Sequence, residues 1–410
     1  MAKMKIFNDP VWGFISVDSE LILQIIDHPY FQRLRRIKQL GLAEYVYPGA
    51  LHTRFHHALG ALHLMGEALN NLRTKGHSIS EEEFEAAKIA ILLHDIGHGP
   101  FSHVLEYTLL SGINHEKISL FLMEKLNKIF DNRLGLAIKM FTNKYSRGFF
   151  YQLISSQLDI DRLDYLSRDC FFTGVTEGNI GADRLIKMMD IIDNKLVIEQ
   201  KGIYSIENFL TARRLMYWQV YLHKSSICAE NMLIQIIKRA RFLLENGQQI
   251  FVTKSLRPFI EKEVTQASFI SNDLYINSFA QLDDNDIWAC VKEWANENDR
   301  ILASLSSDFL NRKLFKIVLS NQEIPTQTAA NIKTQLLDKE YINNQNINYF
   351  MVEGTTTNAA YFSGKKNILI KTKEKGLIDI AEASDLPTIK ALTKIVKKYY
   401  ICWAKNVTLC

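Results

Sequence analysis

Apolar residues recur at spacings of three and four along most of the first 245 residues, which is the period of an amphipathic helix. The clearest stripe includes Leu59, Leu62 and Leu69. Comparable runs predict helices over five segments, 21–40, 57–72, 84–93, 158–168 and 211–244. The first part of the chain is therefore predicted to be mainly α.

Breaks in this pattern mark where helices begin and end. The segment Ser80–Glu83 has the character of a capping box and predicts a helix start. Glycine and proline interrupt the pattern at Gly97–Pro100, after the apolar run that ends at Leu93. Apolar and polar residues alternate over 195–206 around Lys201-Gly202, and this alternation predicts a β-hairpin.

The pattern changes beyond about Ser255, where short strand-like runs appear. They predict strands over 314–319, 349–352, 368–371, 378–381 and 399–403, with helices over 328–337 and 388–397. A polar loop occupies 343–348. We therefore predict two parts: a helical core over 1–250, which includes the hairpin near 195–206, and a smaller α+β region over 251–410.

Composition narrows the class of protein. The 410 residues are 47% hydrophobic, which suits a large buried core, but no apolar run is long enough to cross a bilayer. A formal net charge of +4 gives no reason to expect nucleic acid as the main partner. The five cysteines are scattered and lack CxxC spacing, which argues against a disulfide framework or a zinc ribbon. We expect a cytoplasmic protein with no membrane partner.

Histidines crowd into one part of the chain. Ten of the eleven lie between His28 and His115, whereas a structural histidine is usually solitary. Imidazole and carboxylate are ligands suited to divalent metals, and the adjacent pair His94-Asp95 offers both. Neighbouring side chains on a helix point about 100° apart, so both can reach one ion only where the helix ends. The break at Gly97–Pro100 supplies such an end.

Further donors lie on other predicted helices. His56-His57 stands upstream of the pair, and carboxylates occur within Asp159–Asp164 downstream. A metal site between facing helices of a bundle needs donors distributed in this way. The spacing alone leaves open which histidine and which carboxylate take part.

Several ordered blocks of sequence resemble one family. They are Phe31–Gly41, Tyr47–Ala50, Thr53–His57, His94–His103, Asn114–Glu116, Asp159–Asp169 and Tyr221–Lys224. They resemble the HD-domain superfamily, whose ordered signature is H…HD…D. Within it they are most similar to the deoxynucleoside triphosphate triphosphohydrolases, which include bacterial dGTPases and the SAM-and-HD-domain protein of animals. The resemblance covers residues 5–230 and implies an HD-domain helical bundle.

The resemblance also implies a ligand set of four residues, His57, His94, Asp95 and Asp161. His56 is an alternative to His57, and the spacing to Leu59-Gly60 favours His57. Asp159 and Asp164 are alternatives to Asp161. We expect Asp159 to hydrogen-bond to a metal ligand without binding the metal itself. The implied cofactor is one divalent transition metal per chain (Mn, Fe, Ni, Zn or Co), with Mg on the substrate phosphates as an addition.

The family's catalytic and substrate-binding residues are carried over by position. The catalytic set is His98, His103, His115 and Glu106, which in the family orient or activate water and protonate the leaving oxygen. The alternative for each histidine is that it only orients a ligand. The phosphate-binding cations are Arg54, Arg162 and Arg213. The sugar and base positions are Gln39, Leu40, Tyr165, Asp169, Tyr221 and His223. A tyrosine ring under C2′ excludes a 2′-hydroxyl.

The implied activity is hydrolysis of a deoxynucleoside triphosphate to deoxynucleoside and tripolyphosphate, by a homo-oligomer of two or four chains. An activating nucleotide is implied at Lys5, Asn8, Asp27 and Arg35, although Gly181 and Glu199 depart from that pattern. Two alternatives stay open. One is an HD hydrolase of another nucleotide (a monophosphate, a cyclic nucleotide or the guanosine tetraphosphate alarmone). The other is a nucleotide sensor that binds nucleic acid.

Overall fold

The computed structural model describes residues 4–340, 342–358, 360–362 and 367–404. Its architecture is mainly α with a small sheet-containing C-terminal part, which confirms the predicted fold class. The helices are α1 (Glu20–Asp27), α2 (Pro29–Gln32), α3 (Arg54–Thr74), α4 (Glu81–Leu93), α5 (Glu106–Leu109), α6 (His115–Ile129), α7 (Gly135–Phe141), α8 (Phe149–Ile154), α9 (Ile160–Thr173), α10 (Ala182–Met188), α11 (Ile203–Met216), α12 (Lys224–Glu245), α13 (Arg257–Ile260), α14 (Gln266–Ser271), α15 (Asp273–Phe279), α16 (Asp284–Trp294), α17 (Arg300–Leu310), α18 (Thr326–Leu337), α19 (Ile380–Ala383) and α20 (Pro387–Leu392).

The strands form three small sheets. They are β1 (Lys5–Asp9), β2 (Gly13–Val17), β3 (Met189–Ile192), β4 (Lys195–Glu199), β5 (Lys316–Ser320), β6 (Met351–Asn358), β7 (Leu369–Thr372), β8 (Gly376–Asp379) and β9 (Val396–Trp403). The orders are β1-β2, β3-β4-β7-β8 and β5-β9-β6. Neighbours pair antiparallel except β4 and β7, which run parallel.

Helix α3 lies at the centre of the bundle and packs on α4 and α9. Its buried residues lie on all sides of the helix, as expected for a helix inside a core. Gly60 lets α9 approach closely, because a Cβ at this position would lie 1.9 Å from Oδ1 of Asp164 on α9. This close approach brings the polar residues of α3 and α9 together inside an apolar core.

A tight loop follows α4 and carries the Gly97–Pro100 break. A Cβ on Gly97 would lie 2.2 Å from the backbone oxygen of His115, so only glycine fits against α6. The buried guanidinium of Arg33 donates to the carbonyls of Ile96 at 2.8 Å and His98 at 2.9 Å. The loop that carries Gly97–Pro100 is therefore held in place by the guanidinium of Arg33, which lies more than 60 residues earlier in the chain.

The hairpin predicted over 195–206 is wrong in its turn and its second strand: 195–199 form β4, but 203–206 belong to α11, and the strand that pairs with β4 precedes it. Strand β3 pairs with β4 and the chain turns at Asp193-Asn194, whose φ angles are 49° and 59°. Aspartate and asparagine tolerate the left-handed backbone that a tight hairpin turn requires. Gly202 instead ends a 3-10 turn directly before α11, where a Cβ would lie 2.7 Å from the side chain of Ile198.

The predicted helix over 211–244 is interrupted. Helix α11 ends at Met216, a π-turn spans Tyr217–Tyr221, and α12 begins at Lys224. The ring of His223 caps α12, because its Nδ1 accepts a hydrogen bond from the amide of Ser225 at 3.1 Å. Short π-helical segments inside helices often occur at functional sites, and here the turn carries two tyrosines towards a cavity.

The C-terminal part contains both helices and strands, as predicted. The predicted helix over 388–397 is too long, since α20 ends at Leu392 and β9 begins at Val396. Strand β7 pairs with β4, with Ile370 opposite Ile198, so one sheet contains strands from both predicted parts. The boundary at residue 250 stays a prediction. No helix in the described ranges is long and apolar enough to cross a membrane.

Candidate active site

Two buried histidines from neighbouring helices face each other in the core of the bundle. His57 lies on α3 and His94 directly follows α4, and their Nε2 atoms are 3.4 Å apart. His57 is fully buried and His94 is 8% exposed. The end of α4 turns His94 towards α3, as the break after this helix predicted.

The hydrogen bonds of these histidines determine which nitrogen carries the proton. Nδ1 of His57 contacts Oδ2 of Asp164 at 2.7 Å, and Nδ1 of His94 contacts the carbonyl of Ile91 at 2.6 Å. A carboxylate and a carbonyl only accept hydrogen bonds, so each Nδ1 of the neutral ring carries the proton. In the neutral rings the two Nε2 lone pairs would face each other across 3.4 Å, an arrangement that either a proton or a metal ion between them stabilises.

Two carboxylates approach the same point. Oδ1 of Asp161 lies 3.2 Å from Nε2 of His57 and 3.5 Å from Nε2 of His94. Asp95 lies 3.6 Å from the first nitrogen and 3.4 Å from the second, and its Oδ2 also accepts from Arg54. The donor atoms of His57, His94 and Asp161 are close enough to hold one metal ion. Two imidazoles and two carboxylates suit a divalent metal, so the residues present fit the expected group.

The electrostatics of this cluster favour a positive charge. Burial disfavours the charged imidazole of His57, but its hydrogen bonds to Asp161 and Asp164 outweigh burial and raise its pKa to about 10. The pKa of Asp161 lies well below its usual range, since the contacts to His57 and His94 outweigh its burial. A site that holds a proton this firmly between nitrogen and carboxylate is also suited to a cation.

Asp164 and Asp159 take positions that differ from those expected. Asp164 is buried behind His57 and accepts from its Nδ1, from Arg168 and from the indole of Trp12 at 2.5 Å. Asp159, which we expected behind the ligands, caps α9 and pairs with Arg162. The reason is helix geometry: Asp161 and Asp164 are three residues apart on one face of α9, whereas Asp159 precedes the first turn.

Trp12 and Asp9 were missed by the sequence reasoning, because they lie about 150 residues from their partners. Asp9 accepts from Nη1 of Arg168 at 2.7 Å, and Arg168 in turn donates to Asp164. The turn of the β1-β2 hairpin is thus joined to the residue that orients His57. No local pattern in the sequence signals these contacts.

Three further histidines form a second cluster beside the first. The rings of His98 and His115 stack with centroids 4.0 Å apart, and the ring of His103 meets both edge-on. Glu106 joins two of them: its Oε1 accepts from Nδ1 of His115 at 2.9 Å, and its Oε2 from Nδ1 of His103 at 3.1 Å. The predicted catalytic set is therefore brought together in space.

The protonation of this cluster follows from its contacts. Burial, with Arg54 and the neighbouring histidines, holds the pKa of His98 well below its usual range, so this ring is neutral. The hydrogen bonds from His103 and His115 outweigh burial and lower the pKa of Glu106. Glu106 is thus a permanent acceptor that directs Nε2 of His103 and His115 away from itself.

A cavity of about 460 Å³ opens above both clusters. Arg54 and Arg162 line it, and Nε of Arg162 is buried without a hydrogen-bond partner in the described part of the chain. Gln39, Leu40 and Tyr165 also line it. The two arginines can bind an anionic group, and four carboxylates line the same cavity, those of Asp95, Asp161, Asp169 and Glu230.

Asp169 is more enclosed than a sugar contact requires. It is 1% exposed, and its two oxygens accept from Nε2 of His52 and from the hydroxyl of Tyr221, both at 2.7 Å. His52 was not among the predicted residues. Asp169 therefore holds Tyr221, whose own ring lies edge-on to Tyr165 at 6.1 Å between centroids.

Two predicted substrate residues do not line the cavity. Arg213 is buried on α11 behind Tyr217, with its guanidinium 5.9 Å from the ring centroid. Its Nε and Nη1 have no hydrogen-bond partner among the described residues. His223 serves as the cap of α12 and packs edge-on against Tyr47.

The four predicted activator residues lie on the surface, on β1, α1 and the 3-10 turn Arg33–Arg36. Lys5 and Asp27 form an exposed ion pair at 3.1 Å, and Arg35 lies over the ring of Phe55. Asn8 is exposed on the same strand as Lys5. Glu199, which departs from the activator pattern, pairs with Lys75 at 2.5 Å and Lys201 at 2.9 Å.

A helical bundle in which paired histidines and carboxylates lie beside a cavity lined by two arginines can hold a divalent metal ion and bind a phosphate group. A family model for the HD domain matches residues 54–169, and one for an HD associated region matches residues 180–257. A phosphohydrolase from Bacteroides thetaiotaomicron has a crystal structure that is 50% identical, with a TM-score of 0.94, over 98% of this chain and 100% of that one.

Other relatives are more distant. Uncharacterized protein YwfO of Bacillus subtilis is 33% identical over 328 residues, 78% of this chain and 73% of that protein. Human deoxynucleoside triphosphate triphosphohydrolase SAMHD1 is 30% identical over 288 residues, 59% of this chain and 45% of that protein. The chain belongs to the HD-domain family of phosphohydrolases, which confirms the family predicted from its sequence motifs.

Proposed function

We propose that this protein hydrolyses deoxynucleoside triphosphates to deoxynucleoside and tripolyphosphate with a bound divalent metal. The observation that carries the proposal is the position of the two clusters. The Nε2 atoms of His57 and His94 lie beside Asp161, and Asp161, His103 and His115 line one cavity. The similarity to proteins named deoxynucleoside triphosphate triphosphohydrolase supports the substrate class.

His57, His94, Asp95 and Asp161 would hold the metal, which we propose to be one transition ion per chain (Mn, Fe, Ni, Zn or Co), with Mg on the substrate phosphates. A bound divalent ion supplies a Lewis acid that polarises a phosphoryl oxygen. Asp164 orients His57 through Nδ1. Arg54 forms an ion pair with Asp95 and also lines the cavity, where its guanidinium can bind a phosphate oxygen.

His103 and His115 are suited to move protons in this reaction. Glu106 accepts from Nδ1 of both rings, which leaves both Nε2 atoms free to take a proton from water or to protonate the leaving oxygen. His98, neutral and stacked on His115, orients that ring. Glu106 acts through the two imidazoles and is a positioning residue.

Substrate selection is assigned to the walls of the cavity. Arg162, with an unpartnered Nε, would neutralise charge that builds on the phosphates. Gln39 also has a buried side-chain oxygen without a partner among the described residues, which suits a sugar hydroxyl. Tyr165, braced by Tyr221, would lie under C2′ and exclude a ribonucleotide.

We also propose that the protein works as a homo-oligomer of two or four chains. The exposed group Lys5, Asn8, Asp27 and Arg35 is our proposed site for an activating nucleotide. Its two cations could pair with a phosphate once Lys5 releases Asp27. Addition of GTP to the activity assay tests this directly, and an unchanged rate would contradict it.

The proposed activity is tested by incubating the purified protein with each deoxynucleoside triphosphate and Mn²⁺ or Mg²⁺. We expect inorganic tripolyphosphate, whereas release of single phosphates, or no turnover of any of the four, would contradict the proposal. The double change His94→Ala and Asp95→Ala should remove both metal and activity. The matched control is His77→Ala with Asp190→Ala, which removes another histidine–carboxylate pair, 2.6 Å apart and outside the cavity, and should leave both intact.

A further inference from the structure

Helix α12 presents two polar side chains to the cavity where the other lining groups are apolar. Ser226 and Glu230 line the cavity, and a spacing of four residues places them on one face of the helix. The neighbouring wall consists of Leu40, Gly41, Ala43, Val220 and Leu222. The segment Ala43–Tyr45 packs on α12, so this polar pair faces a narrow apolar wall.

Neither polar side chain is paired by a hydrogen bond or an ion pair within the described residues. Ser226 is 2% exposed, and its hydroxyl has no hydrogen bond there. The carboxylate of Glu230 faces the cavity, and the titratable group that interacts with it from β9 is the hydroxyl of Tyr400. Burial raises the pKa of Glu230 to about 7.

Unpaired acceptors in a cavity cost free energy, which a ligand with matching donors removes. A carboxylate accepts at two oxygens and therefore matches two adjacent N–H groups. The N1–H and 2-amino groups of guanine form such a pair. Adenine and cytosine present a donor beside an acceptor, and thymine presents one donor between two acceptors. A serine hydroxyl can donate to O6 of guanine, and the apolar side chains of Leu40, Val220 and Leu222 can pack against the ring.

We propose that Glu230, assisted by Ser226, binds the Watson–Crick edge of the substrate base and makes guanine the preferred base of this enzyme. This inference rests on the proposed function and deepens it. The metal and the arginines act on the triphosphate, and the α12 pair acts on the base. Glu230 and Ser226 are thus specificity-determining residues.

The test compares kcat/KM for dGTP, dATP and deoxyinosine triphosphate, which lacks the 2-amino group, at pH 8. The wild type should prefer dGTP over the inosine nucleotide by about tenfold, the effect of one hydrogen bond to a charged group. Glu230→Gln should lower kcat/KM for dGTP by about 10- to 100-fold, because its amide turns a donor towards N1–H or the amine. It should also remove the difference between dGTP and deoxyinosine triphosphate. Ser226→Ala should lower kcat/KM for dGTP by about 2- to 10-fold.

The control is Glu245→Gln, which neutralises an exposed glutamate on the same helix and should match the wild type. Thermal melting checks that each variant is folded. If Glu230→Gln keeps the wild-type ratios among the three nucleotides, the inference is overturned. If the wild type hydrolyses none of them, the proposed function fails, and calorimetric binding decides the inference. Equal affinity of the wild type for dGTP and deoxyinosine triphosphate would then overturn it.

Discussion

Replacement of Asp164 by asparagine tests whether the residue behind His57 controls the metal site. Oδ1 of Asp164 accepts from Trp12 and Nη2 of Arg168, and Oδ2 accepts from His57 and Nε of Arg168. An amide supplies one oxygen and one NH₂ group. The least costly orientation turns the NH₂ towards His57, because only this ring can change from donor to acceptor. The imidazole proton then moves to Nε2, the atom that faces the metal.

The size of the effect follows from these contacts. Loss of a residue that orients a metal-bound histidine lowers metal affinity by about 10- to 100-fold, or about 1.4 to 2.8 kcal/mol. Removal of one partner of a buried ion pair costs about 3 to 5 kcal/mol. We expect the free energy of unfolding to fall by about 3 kcal/mol, the lower end of this range. The reason is that Arg168 keeps its ion pair with Asp9 at 2.7 Å.

The assay is metal content after purification, followed by titration of the metal-free protein with Mn²⁺. Urea unfolding of the metal-free protein gives stability separately. The matched control is Asp299→Asn, which also removes a charge from a partly buried pair with an arginine, Arg239, outside the cavity. It should reduce stability without changing metal affinity. An unchanged metal affinity in Asp164→Asn would refute the idea that this carboxylate sets the tautomer of His57.

Three further outcomes are expected. Gly97→Ala should lower the free energy of unfolding by about 3 kcal/mol, because its Cβ would meet backbone atoms of α6. Gly66→Ala should raise it by about 0.5 to 1 kcal/mol, because the space around this position on α3 is open. Urea unfolding measures both. The pKa of Asp190 is lowered from 3.8 to about 2, since contacts from Lys371 and His77 outweigh burial. The stability that the ionised Asp190 carboxylate adds to the fold is complete above pH 3.8 and is lost as the pH falls towards 2. The difference in Tm between the wild type and Asp190→Asn should therefore shrink over that pH range and not grow. Tyr165→Ala should raise kcat/KM for ribonucleotides relative to deoxyribonucleotides by about tenfold, and an unchanged ratio would remove Tyr165 from sugar selection.

Much of the helical part was predictable because its signals are local. The apolar stripe of α3, the capping box at Ser80 and the glycine-rich break after His94 each lie within a few residues of the structure they produce. The hairpin near residue 195 was predicted with the wrong turn. Two turn signals lay close together, and Asp193-Asn194 gives the left-handed backbone that the hairpin needs.

The donors of the candidate metal site could also be found in the sequence, but their arrangement could not. Asp161 and Asp164 lie on one face of α9, and the spacing cannot say which of them meets Nε2 of His57 and which meets Nδ1. Contacts such as Asp9 with Arg168 join residues 159 apart, so no pattern along the chain marks them.

The sequence by itself determined the main apolar helices such as α3 and α4, the histidine-rich break and the residue types available to bind a metal, because these depend on short-range spacing and on side-chain chemistry. The tertiary structure alone decided the role of each carboxylate, the enclosure of Asp169 by His52 and Tyr221, and the exposure of Glu230 to the cavity. The physical reason is the packing of α3 on α9: Gly60 permits an approach close enough that one imidazole contacts two carboxylates of the same helix.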